Sequence, residues 1–206
     1  MRKETVTHNI YTFEDLPENI KQVVLEQNRY INTEYIEWYD SDFEYWTDKL
    51  QGLGYENPKI NFSGFCSQGD GASFTCDIDI KKWIEQNSYD ENNTLILRWW
   101  DEIELSCSIY RSNNHYCHKN TVSLEWDFYG YDLYKKPLFP FSKRVYCKIE
   151  NLLEELTDGM LECARNEMIK IYHDLEKEYD YLTSDECIIE TLANNEYEFN
   201  ENGSIY

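Results

Sequence analysis

The chain has 206 residues, a formal net charge of -21 and an aromatic content of 16%. This length suits one domain with a sizeable core, and the ring content excludes an intrinsically disordered acidic chain. The excess of 40 Asp and Glu over 19 Lys and Arg disfavours direct binding to nucleic acid or to an anionic membrane, because both depend on basic side chains.

The N-terminal part of the sequence predicts one short strand and two helices. β-Branched and aromatic residues over 5–12 are typical of a strand. Pro17 at a first-turn position, followed by apolar residues at helical spacing, predicts a helix over about 17–30. A second helix over about 40–53 is expected to stop at Gly54, since glycine is the usual residue after a helix C-terminus.

The middle of the chain alternates apolar and polar residues, which predicts antiparallel strands. The segments 59–65 and 72–79 form a hairpin whose loop contains Gly69 and Gly71, expected to supply positive φ angles. A short helix over 80–87 follows. The segments 94–111 and 120–129 then predict a second antiparallel pair.

From 144 to 182 the apolar spacing becomes helical and predicts one long helix. Uninterrupted, the run from 149 to 182 is about 50 Å long, whereas a domain of this size has a radius of gyration of about 17 Å. The helix therefore either bends near 157–159 or projects to meet a partner, for example a second copy in a homodimer. The pattern at 183–186 has the form of a capping box that starts a last helix, and 197–199 is a candidate edge strand.

These elements predict an α+β fold with an antiparallel sheet of about four to six strands packed by helices, and one long C-terminal helix. No linker divides the sequence, so we expect a single domain over 1–206. It comprises a helical N-terminal part (13–54), a hairpin-rich middle (58–130) and a helical C-terminal part (144–194). The first residues lack the pattern of a signal peptide and no apolar run has transmembrane length, which indicates a cytoplasmic protein.

Seven cysteines occur without any C-x-x-C pair, so we expect mostly small buried thiols and no disulfide framework. His115, Cys117 and His118, with Cys107 nearby in sequence, have the side-chain types of a zinc site. Structural zinc motifs arrange their ligands in two separate pairs, whereas three of these candidates lie in one short turn. The spacing therefore favours a polar turn with one packed cysteine over a zinc site. The sequence therefore predicts no metal and no other cofactor.

Four segments resemble a group of small proteins encoded by bacteriophages and prophages. They are FSGFCSQGDGASF at 62–74, FEDLPE at 13–18, YLTSDE at 181–186 and NEYEF at 195–199. Proteins of this group are sometimes described as antitoxin-like. The resemblance implies a viral accessory protein that works in the cytoplasm of a bacterial host, and it transfers no catalytic residue.

The loop of the first segment is a candidate ligand site. Glycines flanking an aspartate allow backbone N–H groups to converge on an anion, and the polar side chains would grip a polar ligand or a hard cation. Turn chemistry alone favours a hairpin turn in which the aspartate hydrogen-bonds its own backbone, whereas the loop is longer than a minimal hairpin needs. The candidate residues are Ser67, Gln68, Gly69, Asp70, Gly71 and Ser73.

A row of carboxylates marks the long helix. Glu150, Glu154, Asp158 and Glu162, called the acidic row below, stand at successive i, i+4 positions. Like charges at this spacing destabilise a helix by roughly 0.2–0.5 kcal/mol per pair. The row is either a solvated face that keeps the protein soluble or a partner-binding surface that competes with nucleic-acid phosphates for a basic groove.

The sequence favours a binding protein over an enzyme. We expect a phage-encoded acidic inhibitor of a host protein with a cationic surface, such as a CRISPR or restriction component, acting by nucleic-acid mimicry. One alternative is a protein that binds or sequesters a nucleotide-like signal through the Gly-Asp-Gly loop, and another is an antitoxin-like partner of a toxin. A local basic patch at Lys135, Lys136, Lys143 and Arg144 is the exception in an acidic chain.

Overall fold

The structure is a computed structural model that describes residues 1–3, 8–87, 96–97, 104–112, 115–129 and 143–206. It contains short 3-10 turns at Ile36–Tyr39 and Lys119–Thr121. The helices and strands are α1 (Glu18–Gln27), α2 (Asp40–Gly52), β1 (Tyr55–Phe62), β2 (Ala72–Ile78), α3 (Ile80–Asn87), β3 (Glu104–Arg111), β4 (Val122–Tyr129), α4 (Lys143–Leu182) and α5 (Asp185–Asn194). Among the helices of these described ranges, none has both the length and the apolar character that crossing a membrane requires.

The four strands form one sheet in which every neighbouring pair is antiparallel and the order follows the sequence, β1-β2-β3-β4. With the long C-terminal helix, this confirms the predicted α+β fold. β1 begins earlier than predicted, at Tyr55. The register of β1 against β2 shifts between Glu56 and Lys59, on either side of Pro58. Such an irregularity is expected at proline, because proline has no N–H to donate to the neighbouring strand.

Several local predictions were wrong. Neither predicted terminal strand forms in the described residues. Tyr11 and Phe199 instead make an isolated bridge, and residues 5–7 lie outside the described part. Ile96 and Leu97 are helical, while the other predicted strand residues from 94 to 103 lie outside the described part, as do Lys135 and Lys136 of the basic patch.

The long helix and the cap that follows it differ in detail from the sequence prediction. α4 has 40 residues and continues through 157–159 without a break, so it is about 60 Å long at 1.5 Å per residue. Ser184 caps α5, since its side chain accepts a hydrogen bond from the Cys187 N–H. Thr183, which the capping-box pattern placed at the cap, instead donates to the Tyr179 carbonyl of α4 over 2.8 Å.

The chain divides into two units, one of Met1–Asp40 with Leu175–Tyr206 and one of Ser41–Asp174. In the first unit, Arg29 links α1 to the start of α5. Its guanidinium donates to the Thr183 carbonyl over 2.9 Å and pairs with Glu26 and Asp185 over 2.6 Å each. The apolar core of this unit consists of Phe13, Leu16, Val24, Leu25, Ile188, Leu192 and Phe199.

In the second unit, the sheet and its helices share a buried core. Trp83 of α3 donates its ring N–H to the buried Tyr55 hydroxyl over 3.1 Å. Gly54 ends α2 as predicted, with a φ of +96° and a Cβ position only 2.8 Å from the Trp83 backbone nitrogen. The buried stripe of α4 within this unit consists of Ile149, Leu153, Leu156, Met160, Ala164, Met168 and Ile171.

α4 contacts the sheet and the hairpin loop through polar and aromatic side chains as well. The Arg165 guanidinium donates to the Val122 carbonyl of β4 over 3.2 Å. The ring of Tyr172 lies 5.5 Å from that of Phe65, and Phe65 lies 5.7 Å from Phe62 of β1. Offset and tilted ring pairs at these distances are favourable, so the aromatic contacts tie α4 to the loop after β1.

All seven cysteines are free thiols. Four are buried, as predicted, and they are Cys76, Cys107, Cys117 and Cys187, whereas Cys66, Cys147 and Cys163 are exposed. Cys76 and Cys107 lie on the adjacent strands β2 and β3. Burial raises the pKa of each of these two thiols from 9.0 to about 12, because a thiolate is poorly solvated in the core.

This burial predicts a pH dependence of stability. In the unfolded chain both thiols ionise near pH 9, while the folded state keeps them neutral up to about pH 12. The free energy of unfolding should therefore fall as pH rises above 9, with a slope of up to about 1.4 kcal/mol per pH unit for each thiol. Urea denaturation between pH 8 and about 11 measures the slope in the wild type and in Cys76→Ala.

Cys76→Ala should have the shallower slope, since it lacks one of the two thiols whose pKa is raised to about 12. Cys66→Ala is the matched control, because Cys66 is exposed and its removal should leave the slope unchanged. A Cys76→Ala slope equal to that of the wild type would contradict the assignment.

Candidate functional site

The candidate ligand loop is organised by its own aspartate. One carboxylate oxygen of Asp70, Oδ2, accepts hydrogen bonds from the Cys66 N–H over 2.9 Å and from the Ser67 N–H over 2.6 Å. The Asp70 N–H in turn donates to the Ser67 carbonyl over 3.0 Å. This is the arrangement that turn chemistry favours, and it holds the Asp70 carboxylate in one orientation.

Gly69 and Gly71 do not have the positive φ angles predicted for them. In the hairpin loop it is Gly64 that has one, at +105°. The other two glycines are needed for space, because the turn before β4 packs directly onto them. A Cβ on Gly69 would lie 2.8 Å from the Tyr116 ring, and one on Gly71 would lie 3.0 Å from the His118 Cα.

The other candidate side chains of the loop do not converge on one point. Ser67 and Gln68 are exposed. Ser73 is fully buried in β2, and its hydroxyl has no hydrogen-bond partner within the described residues. Of the six predicted residues, Asp70 and Gly71 line a cavity that the structure places beside the loop.

This cavity, called the loop cavity below, has a volume of about 110 Å³. It lies where the hairpin loop, the turn before β4 and α4 meet, all within the second unit. Gly71, Asp70 and His118 are conspicuous in the sequence, each in a separate motif. The residues of α4 that line the cavity are not, because in the sequence they are only positions of an amphipathic helix. The lining residues are Asp70, Gly71, Ala72, His118, Lys119, Met168, Ile169 and Tyr172.

The zinc-type side chains near this cavity have other partners. Cys117 is buried and its sulfur accepts a hydrogen bond from the Arg111 guanidinium over 2.7 Å. The Nδ1 of His118 accepts from the Asn120 N–H over 3.1 Å, which caps the short turn before β4. Within the described residues, no three His, Cys, Asp or Glu side chains are grouped to hold a metal ion.

The acidic row winds around α4 instead of following one straight face. At 3.6 residues per turn, each step of four residues advances a side chain by about 40° around the axis, so the row turns by about 120° in three steps. Glu150 lies closest to the buried stripe and is half-buried, whereas Glu154, Asp158 and Glu162 are exposed. Glu155, which an i, i+4 pattern leaves out, is exposed on the same side.

We call Glu154, Glu155, Asp158 and Glu162 the acidic patch. None of these four carboxylates has an ion pair or a side-chain hydrogen bond to another residue that the structure describes. Arg165, one turn further along, is occupied by its hydrogen bond to β4. The patch extends over about 12 Å of helix at 1.5 Å per residue, with neighbouring Cβ atoms about 5–6 Å apart.

Comparison with known proteins identifies the family. The chain matches a family model over residues 38–185, which is most of its length. It belongs to the domain of unknown function family DUF8835. No curated protein and no solved structure matches the chain. The matched range includes the whole of the second unit, so the hairpin loop, the loop cavity and the acidic patch are all parts of the DUF8835 domain.

The close approach at Gly71 is testable in the DUF8835 domain. Gly71→Ala should lower the free energy of unfolding by about 1–3 kcal/mol, because the new Cβ meets the His118 backbone, which cannot rotate away. Gly159→Ala is the matched control. Nothing lies within 4 Å of its Cβ position and the site is helical, so alanine should stabilise the chain by about 0.5–1 kcal/mol. Urea denaturation distinguishes the two, and equal effects would contradict the packing role of Gly71.

Proposed function

We propose that this chain is a phage-encoded acidic binding protein that inhibits a host protein by occupying its cationic, nucleic-acid-binding surface. The observation that carries the proposal is the exposed acidic patch on α4, whose four carboxylates are not neutralised by described basic side chains. A defence nuclease of the CRISPR or restriction type has a basic groove of the kind required.

The charge of the whole chain supports this assignment. A net charge of -21 produces a long-range field that attracts cationic surfaces and repels nucleic acid. Such steering accelerates association with an oppositely charged partner and weakens as salt screens it. The acidic patch would then provide the local contacts, since carboxylates that no described basic side chain neutralises would accept charge-assisted hydrogen bonds from Lys and Arg of the partner.

The geometry of the patch fits a partner that normally binds a phosphate backbone. Its carboxylates are spaced by about 5–6 Å on a rigid helix, which presents a regular series of negative charges. Because the opposite side of α4 is buried through Ile149, Leu153 and Met160, the patch is held in place by the core. A preorganised charged surface loses little side-chain and backbone entropy on binding.

The proposal is testable with a variant that neutralises three of the four carboxylates of the patch, Glu154→Gln/Asp158→Asn/Glu162→Gln. Its folding should not suffer, since the substitutions remove the three like-charge i, i+4 pairs of the acidic row. The tagged wild type is used to capture a partner from bacterial lysate, and the Kd of the purified partner is then measured across salt concentrations. We expect the variant to bind at least about tenfold more weakly, with a shallower salt dependence.

The matched control is Glu14→Gln/Glu198→Gln/Glu201→Gln, which removes the same number of charges from exposed positions outside α4. It should bind nearly as tightly as the wild type. Equal weakening of the two variants would show that net charge alone is responsible, and binding that does not change with salt would contradict electrostatic mimicry.

A further inference from the structure

We propose that the loop cavity is a binding site for one neutral heterocyclic ring of pyrimidine size, held at its polar edge by Asp70 and His118. This site is independent of the acidic patch and of the partner that the patch would bind. It rests on the size of the cavity, the division of its lining into an apolar floor and a polar rim, and the fixed orientation of the two polar side chains.

The size of the loop cavity limits the ligand to a single ring. Its volume is about 110 Å³, whereas sites for drug-sized ligands measure about 300–1,000 Å³. An engineered cavity of about 150 Å³ is sufficient to bind benzene. The loop cavity is smaller than that, so a whole nucleotide or a two-ring base does not fit inside, and a single ring enters with part of it and any substituent remaining at the open side.

The inner part of the lining is apolar and belongs to the core. Ala72 is 2% exposed and Met168 is fully buried, and both border the cavity together with Ile169 and Tyr172. A thioether and an aromatic ring are favourable neighbours for a planar ring. Gly71 lets the His118 backbone approach closely, since a Cβ on Gly71 would lie 3.0 Å from the His118 Cα, and both residues border the cavity.

The rim residues Asp70 and His118 offer one acceptor and one donor. Oδ2 of Asp70 is occupied by two backbone N–H groups, while Oδ1 has no hydrogen bond within the described residues. Because Nδ1 of His118 accepts from the Asn120 N–H, the proton of the neutral ring is on Nε2, which is a donor. A ring edge with an N–H or amine next to a carbonyl oxygen complements this pair.

The charges around the loop cavity favour a neutral ligand. Asp70 and Lys119 both line it, so one negative and one positive side chain offset each other at the rim. The chain as a whole carries -21, which disfavours a ligand with phosphate groups. Free pyrimidine bases satisfy the conditions of size, edge and charge together.

The three methionines of the chain make the test specific. The full chain with 13C-methyl-labelled methionine has signals from Met1, Met160 and Met168. Met168 lines the loop cavity, while Met160 is equally buried in the same helix but outside the lining. Titration with cytosine, uracil and thymine should give a saturable shift of the Met168 signal for at least one of them and leave Met160 unchanged. Adenine should bind at least about tenfold more weakly because of its second ring.

Two substitutions separate binding from a nonspecific change. Ile169→Trp should abolish the Met168 shift by filling the cavity, and its matched control, Ile169→Val, should retain it. Asp70→Asn keeps the size of the side chain, and its amide oxygen must still accept from the Cys66 and Ser67 N–H groups. The NH2 group then takes the place of Oδ1, so a donor replaces the acceptor and binding should weaken at least about tenfold. An unchanged Met160 signal verifies that each variant is folded.

Other results would overturn the proposal. They are the absence of a Met168 shift with all three bases, an affinity for phenol equal to that for the best base, and an unchanged affinity in Asp70→Asn. The first would remove the site, and the other two would remove the role of its polar edge.

Discussion

Packing of the apolar stripe of α4 in the core of the second unit determines the direction of the other side chains that the helix carries within that unit. Ile149, Leu153 and Met160 are fully buried, so the residues on the far side must face solvent. This places Glu154 and Asp158 outside and Met168 at the floor of the loop cavity. One burial constraint therefore positions both surfaces to which a function is assigned.

The hairpin loop depends on a second constraint, which is the absence of side chains at two positions. The turn before β4 approaches the loop so closely that any Cβ on Gly69 or Gly71 would enter the Tyr116 ring or crowd the His118 backbone. Asp70 holds the intervening backbone by accepting two N–H groups. The conspicuous Gly-Asp-Gly sequence is thus explained first by packing, and the cavity beside it is a consequence of that packing.

The two proposed activities use different physical properties of the DUF8835 domain. The acidic patch would act through exposed charge, which is effective over several ångströms of water and is weakened by salt. The loop cavity would act through contact, since its apolar floor and its oriented donor and acceptor matter only at van der Waals distance. A chain that combines them would bind a macromolecule through the exposed side of α4 and a small ring in the cavity between α4 and the hairpin loop.

The fold class and most elements followed from periodicity and from turn residues, since the stripe of α4, the stop at Gly54 and the alternation in β1 and β2 are local patterns. Local pattern was insufficient at the termini, where Tyr11 and Phe199 form only an isolated bridge. It was also insufficient for the glycines, because two different requirements both select glycine. One is a positive φ angle, and the other is space for a neighbouring segment. That Gly64 takes the first role and Gly71 the second is decided by which segment packs above each.

The sequence alone determined the charge of this protein, its α+β class and the candidates on α4 and in the hairpin loop. Only the tertiary structure decided which candidates lie together. The winding of the helix separates Glu150 from the exposed acids and adds Glu155. Folding also brings Asp70 next to Tyr172, about a hundred residues away in the chain. The spacing of residues in the sequence predicts which side chains are neighbours within one helix or strand. A cavity is formed between several elements, and their contacts depend on how the whole core packs.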